Sequence, residues 1–367
     1  MSRIIKNSLL VVVSISMAIS GCGKKVDQDT FNKAQAEKSE IKATTATIFP
    51  GEKHLANLKQ LTFGGQNAEA YFSSDGKMIS FQSTRNALEC DAIFTMNSDG
   101  SNVTLVSNGK GRTTCSFISP DGQSIIYAST HLGGAECPPK ADMSHGYVWA
   151  IYPTYDIFKA NLDGTNLQRL TDSPGYDAED VFSADGSKIL FTSVRSGDIE
   201  LWIMNADGTN PEQLTNEPGY DGGGFFSQDG EWIVWRASRP KGDDLKEYKE
   251  LLKQNLVHPT SLEIYVMNLH DRKPVQLTSN GAANFAPYFH PDGERIIYAS
   301  NVNDPHGRNF DLYMLTIDTK AIEQITFNET FDAFPMFSSD GKKLVFASNR
   351  NGTVKGETNI FIADWVE

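Results

Sequence analysis

Six times along its 367 residues the chain writes an apolar residue, a short polar residue, one variable residue, Asp and Gly. The copies are Phe72-Ser-Ser-Asp-Gly-Lys77, Ile118-Ser-Pro-Asp-Gly-Gln123, Phe182-Ser-Ala-Asp-Gly-Ser187, Phe226-Ser-Gln-Asp-Gly-Glu231, Phe289-His-Pro-Asp-Gly-Glu294 and Phe337-Ser-Ser-Asp-Gly-Lys342. Each is followed by an apolar run that ends in an aromatic residue, such as Met78 to Phe81 or Leu344 to Phe346. An Asp-Gly turn between two apolar segments is a β-hairpin. Hairpins at a recurring period specify a repeat architecture, which has to be settled before any site is read.

Two further signatures follow each hairpin. One is an acidic or polar residue leading an aromatic strand, as in Asp156-Ile-Phe-Lys-Ala-Asn161 and Glu200-Leu-Trp-Ile-Met-Asn205. The other is a short closing strand, as in Leu167 to Thr171 and Glu212 to Thr215. Each unit is therefore four antiparallel strands, A to D, and units of about 45 residues match propeller blades rather than a barrel. The expected fold is all-β, a six-bladed β-propeller of four-stranded antiparallel blades. The blades fall at about 63–107, 108–171, 172–215, 216–278, 279–326 and 327–367. The sixth unit reaches Glu367 without a strand D, and a spare copy, Lys59-Gln60-Leu61-Thr62, precedes the first unit. An N-terminal strand within 55–62 should thus pair into the last blade, which removes exposed sheet edges.

The Phe-Ser-x-Asp-Gly hairpins, followed by Asp-x-x-Phe and Gln-Leu-Thr, resemble the TolB-type six-bladed propeller family over residues 55–367. The resemblance implies a lipoprotein form without the N-terminal α/β domain found in that family. Docking to the Tol–Pal envelope machinery is the function known for the family.

The first residues carry an address. Arg3 and Lys6 precede an apolar run from Leu9 to Ile19 that is short for a permanent membrane span. Ile19-Ser20-Gly21-Cys22 resembles the bacterial lipobox, so residues 1–21 are expected to be a lipoprotein signal peptide. Cys22 would carry the lipid that anchors the protein to a membrane. Gly23, rather than Asp, follows the cysteine, which points to the outer membrane on its periplasmic side. Residues 22–52 are polar and read as a flexible tether. An exported chain permits disulfides, and Cys90, Cys115 and Cys137 allow one bridge and one thiol. Net charge is −13 with pI near 5.0. No long Lys/Arg cluster offsets that acidity, which argues against a nucleic-acid partner.

Strand order puts the A–B and C–D turns on one face and the B–C and D–A loops on the other. Two long repeats carry insertions in B–C loops, at about 130–155 in blade 2 and 239–262 in blade 4. The first is Gly/Pro-rich, with His131, His145 and Tyr147. The second has Leu245, Tyr248, Leu252 and Leu256 on one face of an amphipathic helix. Counting eight residues back from each turn Asp gives Asn67, Thr113, Asp177, Asp221, Asn284 and Asp332, a polar ring expected at the channel mouth. Glu69, Glu179, Asp180 and the cation Arg112 lie close in sequence. Tyr176 and Tyr220 fall in matched Pro-Gly-Tyr-Asp segments. Converging carboxylates can hold a hard cation such as calcium, with Asp177, Asp221 and Asp332 as its ligands, or a cationic group of a ligand. Alternatively they cap loop amides.

Nucleophile-elbow, zincin and phosphate-loop motifs are absent. The expected function is non-catalytic: a cell-envelope lipoprotein that binds a protein, peptide or glycan at the loop-rich face. The alternatives are a channel-site enzyme, such as a metal-dependent polysaccharide lyase, or an accessory propeller for a hydrolase acting in trans.

Overall fold

A computed structural model describes residues 43–85, 88–304 and 307–367. Six antiparallel sheets form the ring: five have four strands, and the last has five. Within each blade the strands lie in order A to D, and strands A of successive blades contact one another around a closed circle. The sixth blade is completed by Leu55–Gln60, which pairs antiparallel with Asn359–Trp365. Residues 43–52 belong to this packed structure and not to the tether, because Thr44–Thr45 adds a fifth strand and Glu52 is buried. Residues 1–22, with the leader and Cys22, lie outside the described residues.

Each repeated motif has a physical cause. In the A–B turns, Ser183 Oγ donates to Asp185, whose carboxylate also accepts the Ser187 amide. These bonds hold Asp185 down at about 2, the Ser183 bond contributing most. Gly186 takes φ +72°, which side-chain-bearing residues rarely adopt. The aromatic residue in the middle of strand B sits directly opposite the aromatic residue of strand C, as in Phe81 with Phe94 and Phe346 with Phe361. Such pairs are each worth about 0.5–1.5 kcal/mol beyond their burial. The Thr of Gln-Leu-Thr accepts the amide of strand C: Leu201 N donates to Thr215 and Ile264 N to Thr278. In blade 6 that hydroxyl comes from Thr62, which accepts from Ile360 N at 2.8 Å.

The residue eight before each turn Asp is the joint between blades. Its amide donates to the carbonyl just ahead of strand C in the preceding blade: Thr113 to Asp91, Asp177 to Tyr155, Asp221 to Ile199, Asn284 to Leu262, Asp332 to Phe310, and Asn67 to Thr358. In blades 3, 4 and 6 an arginine two residues beyond strand B neutralises the joint's carboxylate: Arg195 with Asp177, Arg239 with Asp221, Arg350 with Asp332. The same arginines stack on blade aromatics, Arg195 on Phe191 and Arg350 on Phe346. Arg350 also binds Glu52 and so ties the closing segment to blade 6.

Arg350, Asp332 and Glu52 are all buried, at 1%, 0% and 0% side-chain exposure. Arg350→Met therefore leaves two buried carboxylates without a cation, which should cost about 3–5 kcal/mol. Urea unfolding should show a midpoint lowered to match; an unchanged midpoint contradicts the role of this joint.

Candidate functional site

Every strand A breaks register once, just after the joint. The bulge residues are Glu69, Cys115, Glu179, Gly223, Ala286 and Phe334, and all six have φ between 50° and 60°. A β-bulge re-aims a side chain, and here all six bulge residues line one cavity of about 1090 Å³ on the axis. Five of the six carry a side chain in the left-handed region, a strain that tends to cluster at functional positions.

The cavity is a cup, not a through channel. Two residues beyond the bulge come Tyr71, Phe117, Val181, Phe225, Tyr288 and Met336. Tyr71 of blade 1 meets Phe225 of the opposite blade 4 with ring centroids 5.3 Å apart, and Phe225 meets Tyr288 at the same distance. These rings close the floor.

The roof is made by the two insertions. Trp149–Ala150 of the blade 2 insertion pairs antiparallel with Leu256–Val257 of the blade 4 insertion. The expected helix is present as α1, Gly242–Leu252, and it packs through Tyr248 and Leu251; Leu256, expected on its face, lies instead in the roof strand. Tyr176 and Tyr220 lie beneath this roof in one apolar cluster with Ile151, Tyr248 and Val257. The disulfide joins Cys90 to Cys137, pinning the blade 2 insertion to blade 1, and Cys115 remains a thiol.

The wall of the cup is divided. On the blade 5–6 side, Phe285, Phe310, Phe331 and Phe334 line it and touch one another at 4.9–6.1 Å. On the blade 1–4 side the wall is charged. Arg236 pairs with Glu179, donates to Tyr220 Oη at 2.7 Å and lies under the Trp149 ring. Thr192 holds the other Glu179 oxygen at 2.7 Å. Gly223 makes this possible, since a Cβ there would collide with the Arg236 guanidinium.

Two acids in this wall have no cation of their own. Asp180 is 0% exposed and neither of its carboxylate oxygens has a hydrogen-bond partner. Burial pushes its pKa well above the usual carboxylate range. Glu69 Oε2 is likewise enclosed and unpartnered. Burial raises Glu69 to about 7, against a lowering contribution from the Cys115 thiol.

Of the residues proposed from sequence, Glu69, Glu179, Asp180 and Tyr147 line the cup, and Tyr220 supports it from behind. Asp177, Asp221, Asn284, Asp332 and Thr113 do not; they are the buried joints. Arg112 faces Asp91 at 3.8 Å. His131 bonds Ser129 and packs tilted against Phe158, His145 is exposed in a short turn, and Tyr176 is buried beneath the roof. Sequence reasoning missed Cys115, Arg236 and the phenylalanine wall as site residues. One signal was present: Gly222-Gly-Gly224 in a strand whose counterparts carry side chains, opposite an arginine in the otherwise apolar Trp232-Ile-Val-Trp-Arg-Ala237.

No family model matches the chain. Among solved structures, TolB from Acinetobacter baumannii is similar at 17% identity and TM-score 0.54, over 74% of this chain and 57% of that one. The chain therefore spans little more than half of that relative's length. A putative TolB from Agrobacterium tumefaciens matches at 16% identity and TM-score 0.54, over 83% of this chain and 91% of that one. An oligogalacturonate lyase in complex with manganese matches at 16% identity and TM-score 0.51, over 89% and 97%. The residues here do not fit a metal of that kind. Among the described residues no group of three or more His, Cys, Asp or Glu could hold an ion. The calcium expectation is corrected for a second reason: Asp177, Asp221 and Asp332 are each paired with their own arginine.

Glu69 holds its proton more tightly when folded than when unfolded. Stability should therefore fall as pH rises from about 4.5 to about 7 and level off above. Glu69→Gln removes this loss. Its melting temperature should exceed wild type by a margin that grows across that window; a margin independent of pH would contradict the assignment. The fold is that of the TolB-like six-bladed propellers.

Proposed function

We propose that the protein is a non-catalytic binding propeller of the bacterial cell envelope, which takes a segment of a protein or peptide into the cup. The observation that carries this reading is the cup itself, floored by rings that meet across the axis and roofed by two paired insertions. Its volume of about 1090 Å³ is at the upper end of ligand pockets. The four phenylalanines present a broad apolar face, which suits the apolar side chains of a protein or peptide segment. Within the charged wall Glu179 and Arg236 are tied up in a cluster with Tyr220, which orients a ligand without presenting an activated nucleophile.

The cell address rests on Cys22 and on the fold shared with TolB. We propose that the mature protein begins at a lipidated Cys22 and sits at the outer membrane, facing the periplasm. Among the described residues no helix is long and apolar enough to cross a membrane. An acyl anchor is consistent with that. Cys22→Ser should move the protein from the membrane to the soluble fraction; continued sedimentation with membranes contradicts the anchor.

Site-directed photo-cross-linking in the producing cell tests the binding reading. A benzophenone side chain at Phe334, inside the cup, should yield adducts with a peptide or protein. The same group at Trp232, which is exposed beside the A–B turn on the opposite face, should not. Adducts from Trp232 alone, or the same adducts from both positions, would overturn it.

A further inference from the structure

The charges at the bottom of the cup do not balance. Beside the bulges three carboxyl groups, on Glu69, Glu179 and Asp180, stand against one guanidinium, on Arg236; the rest of the lining adds Asp304, Glu329 and Glu357 against Arg308 and Lys355. That guanidinium is committed: it pairs with Glu179 and bonds Tyr220, and Trp149 and Tyr220 stack on it at 5.4 and 5.3 Å. Arg308 is stacked on Tyr147, 4.7 Å from the ring centroid. Asp180 is 0% exposed with two unpartnered oxygens, and Glu69 Oε2 is enclosed without a partner. A buried acid with no partner is costly to keep. In this fold nothing requires an acid there, since the residues at the Asp180 position in the other blades are Ala70, Ser116, Gly224, Pro287 and Pro335. Facing the acids is the aromatic wall of Phe285, Phe310, Phe331 and Phe334, and ring faces attract cations.

We infer that the cup is built for a protonated amine, whose ammonium docks against Asp180 and Glu69 while its apolar stem lies on the phenylalanine wall. The inference rests on the cup being the ligand site. An anion is disfavoured, because the lining carries six carboxyl groups against three cations, and the cation beside the bulges, Arg236, is already paired. A neutral apolar ligand would leave the Asp180 and Glu69 oxygens unpaired. The ammonium supplies donors and charge to both. With the cup empty, burial favours the protonated form of both acids. Docking of the ammonium should therefore expel protons. Besides each other, the groups that face these acids are Tyr71, Cys115, Glu179, Arg236 and Asp91, and none of them supplies a free positive charge.

The test is isothermal titration of the full chain at neutral pH with two matched pairs of probes. Phenylbutylamine is compared with phenylbutanol, and the blocked dipeptide acetyl-Phe-Lys-amide with acetyl-Phe-norleucine-amide. In each pair the amine should bind at least about tenfold tighter. Its heat should change with the ionisation heat of the buffer, reporting proton release. Glu69→Gln and Asp180→Asn should each abolish the preference and the buffer effect. Both variants should melt at or above the wild-type temperature, so lost binding is not lost folding. If amine and neutral probe bind equally, the amine inference is overturned while the cup remains a ligand site. If phenylbutylamine is preferred but the dipeptides do not bind, the amine inference stands and the peptide reading of the cup fails. If no probe binds, or if both variants keep the preference, the inference is overturned.

Discussion

A single backbone hydrogen bond, repeated six times, holds the ring: the first joint residue of each strand A donates its amide to the carbonyl ahead of the previous blade's strand C. It links neighbouring blades beside the axis, where a shift of one residue would turn every inward side chain outward. The side chains at this position are buried and polar because they serve the same joint. Asn67 Nδ2 donates to Thr358 O, Asn284 Nδ2 to Leu262 O, and Thr113 Oγ1 to Asp91 O. Where the residue is Asp, an arginine stacked on the blade aromatics balances it. Because the joints are rigid, the bulge that follows can point its side chain at the axis in all six blades.

The propeller was legible because its signals are local and repeated. An Asp-Gly turn, an aromatic pair and a Thr cap each act within one blade, so six copies reinforce one another. Ring closure was legible too, since a strand missing at one end and spare at the other have one solution. The joint residues were found by counting back from the turns, but they were assigned to the channel face. The count treats strand A as continuously extended, and it is not. The bulge shifts the inward-facing position by two residues, from Asp177 to Glu179 and from Asp332 to Phe334. A left-handed bulge residue has no strict sequence signature, because Glu, Cys, Ala, Phe and Gly all occupy it here.

The remainder of the site depends on contacts far apart in the chain. Arg236 enters the cup only because Gly223 leaves room. The roof forms because two insertions about a hundred residues apart supply one strand each, and pairings of such separation are set by the whole fold. Pairing of Cys90 with Cys137 follows from the position of the blade 2 insertion, which spacing alone does not give. The cup also keeps features that work against stability: five side-chain-bearing residues in left-handed bulges and two acids without cations. Sites that bind commonly retain such conflicts where the surrounding scaffold does not.

The most direct measurement is a crystal structure of the protein with phenylbutylamine bound. The ring of bulge residues, rather than the ring of joint residues, should hold the ligand. Density should place the nitrogen within hydrogen-bond distance of Asp180 and Glu69, and the phenyl ring against Phe334. Density at Asp177, Asp221 or Asp332 with their arginines displaced, or density outside the cup, would contradict it.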